Sequence, residues 1–244
     1  RVASSRVALV IPAWNEADCI GAVLNEVPPN VAQWTVVVCG HSTDGTDAIA
    51  RDRGAEVVDD NAVGYGAACW AGVVRARQLG AEVIAFLDGD YSDPPSALAA
   101  VLSPLLVGQT DLALGVREMH AAPEALPIHA RLGNRLVLAA LHGLTGYRLA
   151  DLPSFKALRL ETLDRLGMSE MTYGWTTEML VKAVRLKLRI AEIPITYRPR
   201  LGGRSKVSGT VRGTAGAAWK LSSCAVKYAR WTPVAEAASR SASR

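Results

Sequence analysis

Asp88 and Asp90 stand one residue apart, with Gly89 between them, at the end of the apolar run Ile84-Ala85-Phe86-Leu87. Two carboxylates held that close repel each other unless a cation sits between them. Oxygen-only ligands favour a hard divalent ion, Mg²⁺ or Mn²⁺, and such ions commonly hold substrate phosphates as well. Gly89, without a side chain, lets a ligand approach the backbone closely. The competing reading of a lone Asp-x-Asp is an acidic surface turn. The apolar run before it favours a site, because ligands of open α/β sheets bind at the C-terminal edge of the strands.

The flanking sequence supplies such a sheet. Strands are expected over 7–12, 35–38, 56–58, 83–87 and 111–115. Helices are expected from 15–18 to 27 and over 47–53, 67–79 and 94–107. This alternation has the spacing of βαβ units and predicts an α/β, mostly parallel, doubly wound sheet. The second half is more helical, with helices expected over 129–144, 160–166, 175–188 and 211–230. A last strand is expected over 190–195, and a basic, Gly-rich loop over 198–206. Three parts result: a catalytic domain over 1–210, a C-terminal amphipathic helix over 211–232, and a disordered tail over 233–244.

Other residues fall at the same sheet edge. Asn15-Glu16 follows the first strand and the loop 42–46 the second, so with the Asp-Gly-Asp turn they would line one nucleotide-diphosphate pocket. The alternative is ordinary turn chemistry, since Asn, Asp, Gly and Ser dominate turns. Gly64-Tyr65-Gly66 opens a helix whose N–H groups would suit a phosphate. Arg117, Arg131, Arg135, Arg204 and Lys206 are candidates for phosphate or pyrophosphate contacts. Arg204 and Lys206 stand out because their Gly-rich loop can fold down on a polyanion. Glu178, inside an apolar helix, is either a general base or the partner of a nearby arginine. The four histidines, His41, His120, His129 and His142, share no spacing and read as structural or solvated.

Composition narrows the class. Half of the 244 residues are apolar, enough for a sizeable core, yet no uninterrupted apolar run reaches the length of a spanning helix. Residues 1–6 and the strand after them lack the apolar core of a signal peptide, so none is expected. Cys19, Cys39, Cys69 and Cys224 show no CxxC spacing and fit reduced cytosolic thiols better than disulfides or a zinc site. The net charge of +4 suits anionic substrates or an acidic membrane surface. Nucleic acid is not among the expected partners.

Four ordered stretches, Val10-Ile11-Pro12-Ala13-Trp14-Asn15-Glu16, Ser42-Thr43-Asp44-Gly45-Thr46, Gly64-Tyr65-Gly66-Ala67-Ala68 and Asp88-Gly89-Asp90, resemble the family-2 glycosyltransferases. Residues 151–155, 190–195 and 202–206 are similar to the dolichol/polyprenol-phosphate sugar synthase branch. The likeness runs from about residue 7 to 210. It implies a GT-A fold, a nucleotide-diphosphate-sugar donor, Mg²⁺ or Mn²⁺, and inversion at the anomeric carbon. Pro12, Ala13, Trp14 and Glu16 would then contact the nucleoside, together with Cys39, His41 and Gly66 as donor-binding positions. Asp88, Gly89 and Asp90 would hold metal and diphosphate, Arg117 and Arg131 would face an acceptor phosphate, and Arg204 and Lys206 would close over the donor. A phosphate acceptor needs no base, whereas a hydroxyl acceptor would need one, from Asp151 or Glu178.

Three departures qualify the resemblance. Cys39-Gly40-His41 replaces the acidic residues and glycine usual after the second strand. Ser92 stands where the polyprenol branch often has Gln, as a shorter metal ligand. C-terminal membrane segments, which the polyprenol branch can carry, are not expected here. The acceptor is therefore expected to be a polyprenyl phosphate or a small soluble hydroxyl compound, and a non-catalytic nucleotide-sugar-binding member is the further alternative. The expected location is cytoplasmic. Helix 211–230 either makes a peripheral contact at the inner face of the membrane or packs on the catalytic domain.

Overall fold

The computed structural model describes residues 5–59, 63–118, 128–202 and 211–232. The first half alternates as expected: β1 (Val7–Pro12), α1 (Ala17–Glu26), β2 (Trp34–Val38), α2 (Thr46–Asp52), β3 (Glu56–Val58), α3 (Tyr65–Gln78), β4 (Val83–Phe86), α4 (Leu98–Leu106) and β5 (Leu112–Arg117). Then come α5 (Ile128–Thr145), β6 (Lys156–Arg159), α6 (Leu160–Leu166), α7 (Trp175–Arg185), β7 (Ile190–Ile195) and α8 (Val211–Ala229).

The seven strands form one sheet in the order β3-β2-β1-β4-β6-β5-β7. The pairs β1–β2, β1–β4, β2–β3 and β5–β7 are parallel. Strand β6 is a correction to the sequence reading, which placed no strand there. It lies antiparallel between β4 and β5, with Ala157 opposite both Ala85 and Ala113. Its four residues, Lys-Ala-Leu-Arg, give too short and too charged a run for a period-2 signal. The two neighbouring strands supply the pairing that its sequence does not advertise.

The strand period of two builds two cores. Ala8, Val10, Val36, Val38, Ile84 and Phe86 face α3, α6 and α7, packing on Cys69, Val73, Leu163, Trp175 and Met179. Val7, Leu9, Ile11, Val37, Val83 and Ala85 face α1, α2 and α4, packing on Ile20, Val23, Ala50, Leu98 and Leu102. All are almost fully buried, and each larger side chain contributes about 1.5–3 kcal/mol. Burial on both faces explains why the central strands are continuously apolar rather than alternating. A third cluster, with Val137, Leu141, Val181, Ala225 and Tyr228, packs α8 on α5 and α7. The expected tail over 233–244 and the loop residues 203–210, with Arg204 and Lys206, lie outside the described residues.

Candidate active site

The loops after β1 and β2 are stitched to each other. The amides of Asn15, Glu16 and Ala17 donate to Ser42 Oγ (3.1 Å), Thr46 Oγ1 (2.9 Å) and Asp44 Oδ2 (3.0 Å). The amide of Thr43 returns the contact to Asn15 Oδ1 at 2.8 Å. The polar residues of the loop 42–46 thus brace the backbone that carries Pro12, Ala13, Trp14 and Glu16. At this edge Trp14 is half exposed and Glu16 half-buried. Cys39 is instead packed into the core beside Val37 and Ala50, and burial pushes its thiol up to about 12. His41 is exposed and adopts φ +59°, left-handed backbone that favours glycine.

The Asp-Gly-Asp turn follows β4. The amide of Leu87 donates to Val10 O at 3.1 Å, which holds the turn against β1. Gly89 has a protein reason for being glycine: a Cβ there would stand 3.2 Å from Ala13 Cβ and 3.4 Å from Pro12 O. Gly66 is explained in the same way. Its Cβ would overlap the Glu170 carbonyl. The amides of Gly66 and Ala67 donate to Thr172 O (3.2 Å) and Met171 O (2.8 Å) at this helix start.

Asp88 and Asp90 are not equivalent. Asp88 Oδ1 is buried without a hydrogen-bond partner among the described residues. Burial, reinforced by the Asp90 carboxylate, pushes its pKa up to about 6 against the pull of Lys156, Tyr65 and Arg200. Asp90 Oδ1 accepts from the Ser92 amide (2.9 Å) and from Ser92 Oγ (2.6 Å), while its Oδ2 meets Arg200 Nη2 at 2.5 Å. Ser92, expected as a metal ligand, spends its proton on Asp90 and orients it. Tyr91 between them is held at φ +67°.

Three further charged residues surround the turn, none of them picked out by the sequence reading. Asp93 is buried and accepts from Ser154 Oγ at 2.5 Å, and burial pushes its carboxyl up to about 7. Lys156, fully buried in β6, donates to Ser154 O (3.0 Å), Thr176 Oγ1 (3.0 Å) and Pro153 O (3.4 Å). Burial lowers its pKa, opposed by Cys69 and by the carboxyl groups of Asp88 and Asp93. Arg200 belongs to the segment after β7. Asp93 was legible as a third carboxylate in the same stretch, and Lys156 as a lone cation in an apolar neighbourhood. Arg200 had no signal beyond the basic run around it.

At the end of β5, Arg117 forms a two-point ion pair with Asp151, through Nε (2.5 Å) and Nη2 (2.6 Å), and lies 5.1 Å from the centre of the Tyr197 ring. Asp151 also accepts from Asn134 Nδ2 at 2.9 Å and from the Leu152 amide at 2.8 Å. Burial pushes the Asp151 carboxyl up, but Arg117 overcomes this and holds it below the usual carboxylate range. Arg131 lies half-buried on α5. Glu178 has its partners elsewhere. Fully buried, it accepts from Lys182 Nζ (2.6 Å), Ser169 Oγ (2.8 Å) and the amides of Ser169 (3.0 Å) and Glu170 (2.7 Å), none of them in the turn.

Among the described residues, no group of three or more His, Cys, Asp or Glu is placed to hold a metal. Two carboxylates suit a hard cation that also takes oxygens from a substrate phosphate. The donor set therefore fits Mg²⁺ or Mn²⁺ arriving with a diphosphate.

An open α/β sheet with this paired carboxylate at the end of a central strand is the arrangement of the GT-A fold. The chain belongs to glycosyl transferase family 2, whose model matches residues 8–163. An uncharacterized glycosyltransferase of Mycobacterium tuberculosis is 33% identical over 213 residues, spanning 87% of this chain and 94% of the relative. An undecaprenyl-phosphate mannosyltransferase of Micrococcus luteus is 30% identical over 227 residues, 86% of this chain and 90% of its own length. The fold is shared with glucosyl-3-phosphoglycerate synthase of M. tuberculosis, solved with Mn²⁺, UDP-glucose and phosphoglyceric acid. The TM-score is 0.72 at 19% identity, over 94% of this chain and 81% of the other.

Proposed function

We propose that this chain transfers a sugar, with inversion at the anomeric carbon, from a nucleotide-diphosphate sugar to a polyprenyl phosphate, and that Asp88 and Asp90 hold the divalent cation of the donor. The observation that carries this reading is Asp88 Oδ1, buried beside a second carboxylate without a hydrogen-bond partner among the described residues. A buried polar atom of this kind calls for a ligand. The polyprenyl-phosphate acceptor is supported by the name of the M. luteus relative.

When bound, Mg²⁺ or Mn²⁺ supplies charge stabilisation for the departing diphosphate. The protein's own residues do the positioning. Ser92 fixes the Asp90 carboxylate, the braced loop after β1 presents Trp14 and Glu16 to the nucleoside, and Asp151 aims Arg117 towards an acceptor phosphate alongside Arg131. Arg204 and Lys206 are the candidates for closing over the donor. Asp151 and Glu178 are both occupied by cations. That supports an acceptor which is already an anion over a hydroxyl that must lose a proton.

Calorimetry with Mn²⁺ and either UDP or GDP tests the donor site. One nucleotide is expected to bind, and Asp88→Ala to abolish binding. Transfer of labelled sugar to a short-chain polyprenyl phosphate, against 3-phosphoglycerate as the competing small acceptor, tests the second half. If neither nucleotide binds, the transferase reading falls; transfer to phosphoglycerate alone overturns the acceptor.

The reading includes a resting surface on the membrane. No described helix is long and apolar enough to cross a membrane. Yet α5 exposes Leu132 and Leu136, and α8, packed against it, exposes Trp219 and Val226 beside the exposed Lys220 and Lys227. Exposed apolar side chains with lysines on the same helix suit an anionic lipid surface. Flotation with phosphatidylglycerol vesicles, but not with phosphatidylcholine vesicles, is expected and should be lost in Leu136→Ser/Trp219→Ser. Equal flotation of the variant overturns this surface.

A further inference from the structure

The two carboxylates of the turn differ in what occupies them. Asp88 keeps one buried oxygen without a hydrogen-bond partner among the described residues, whereas both Asp90 oxygens are engaged, one by Ser92 and the other by Arg200. Arg200 sits between two anchored points of the segment that follows β7. On one side the Arg198 amide donates to Ser92 O at 3.0 Å, and its guanidinium binds both Glu26 oxygens at 2.7 and 2.8 Å. On the other, Cys19 Sγ lies 3.9 Å from Gly202 O. This segment lies across the turn, with its cation on the second carboxylate of the pair that would hold the donor's metal. The Arg200 side chain is 30% exposed, so it has room to leave.

We propose that Arg200 is the resident counter-ion of Asp90 and exchanges partners when the donor loads, releasing Asp90 to the divalent cation and passing its guanidinium to the diphosphate. This rests on the donor reading above. A guanidinium and a dication cannot share one carboxylate oxygen without strong repulsion. The planar fork of an arginine finds an equivalent acceptor in a diphosphate. The exchange makes cation and diphosphate bind cooperatively. The cation alone must displace Arg200 with no new partner for it, whereas the diphosphate brings that partner. By linkage, the coupling is the same whichever ligand is counted first.

The test compares wild type, Arg200→Gln and Arg200→Lys, each checked for an unchanged circular dichroism spectrum, by calorimetry with Mn²⁺ alone and with preformed Mn·UDP and Mn·GDP. Without the arginine's charge, Arg200→Gln is expected to bind Mn²⁺ alone about tenfold more tightly, and the nucleotide complex about tenfold more weakly. Arg200→Lys keeps the charge but loses the fork, so its affinity for Mn²⁺ alone stays near wild type while its affinity for the complex falls. Unchanged or weaker binding of Mn²⁺ alone by Arg200→Gln overturns the counter-ion role. Tighter Mn²⁺ with undiminished binding of the complex overturns the hand-over to the diphosphate. Wild type that binds neither nucleotide overturns the donor reading itself. The Mn²⁺ arm would still separate that failure from a failure of the Arg200–Asp90 competition.

Discussion

Arg117 and Asp151, 34 residues apart in sequence, meet in a two-point ion pair at 2.5 and 2.6 Å, with Asp151 nearly fully buried. A carboxylate so engaged aims an arginine and is poorly placed to accept a proton. Replacing Asp151 by Asn leaves a largely buried guanidinium short of its counter-charge. It is expected to cost about 3 kcal/mol of stability in urea unfolding. Activity should fall mainly through a raised KM for the acceptor, since Arg117 loses its aim. A loss confined to kcat, with stability unchanged, would instead mark Asp151 as a base.

Glu178 and Lys182 form a buried pair at 2.6 Å, and Lys182 also lies 4.9 Å from the centres of both the Tyr228 and Trp231 rings. The pair therefore ties α7 to α8 and the residues that follow it. Glu178→Gln strands the ammonium and is expected to cost about 3–5 kcal/mol. Proteolysis within α8 should become faster, while the folded fraction keeps its kcat. A variant that stays stable but loses about a hundredfold or more in kcat would restore Glu178 as a base.

His41 occupies left-handed backbone at φ +59°, a conformation that favours glycine. His41→Gly is expected to raise stability by about 0.5–1 kcal/mol, because relief of the strain slightly exceeds the entropy cost of glycine. Thermal unfolding measures the first effect. Calorimetry on the same variant reads the expected donor-binding role of His41, which predicts weaker nucleotide binding; unchanged affinity would confine His41 to the turn.

The Arg198 guanidinium, more than any other group, holds the Glu26 carboxyl down to about 2. A depressed carboxyl contributes stability above its unfolded value near the ordinary 4.5, and that contribution fades as pH falls towards about 2. Both side chains keep some solvent contact, so screening limits the contribution to about 1 kcal/mol. Urea unfolding of Glu26→Gln should show this deficit at pH 7 and a progressively smaller one between pH 4.5 and 2.5. A deficit independent of pH would assign the loss to packing instead.

Much of the architecture was legible because it is written locally. Apolar runs closed by Pro12, Gly40 or the Asp-Gly-Asp turn mark strands, and the helical spacing between them marks the crossovers, so the five alternating units appear in the chain as they do in the fold. The position of Asp88 and Asp90 at a strand end follows from the same local pattern. Lys156-Ala157-Leu158-Arg159 carries no such pattern, since its strand character comes from β4 and β5 on either side.

By itself, the sequence determined the parallel α/β frame, the acidic turn and the family, because each depends on residue types within a few positions of one another. Only the tertiary structure decided which charges meet. Asp151 holds Arg117, Glu178 holds Lys182, Arg200 covers Asp90, and Asp88 retains a buried oxygen without a hydrogen-bond partner among the described residues. A side chain declares its charge in the sequence, but its partner, and hence whether it acts as base, counter-ion or ligand, depends on which distant segment the fold lays against it.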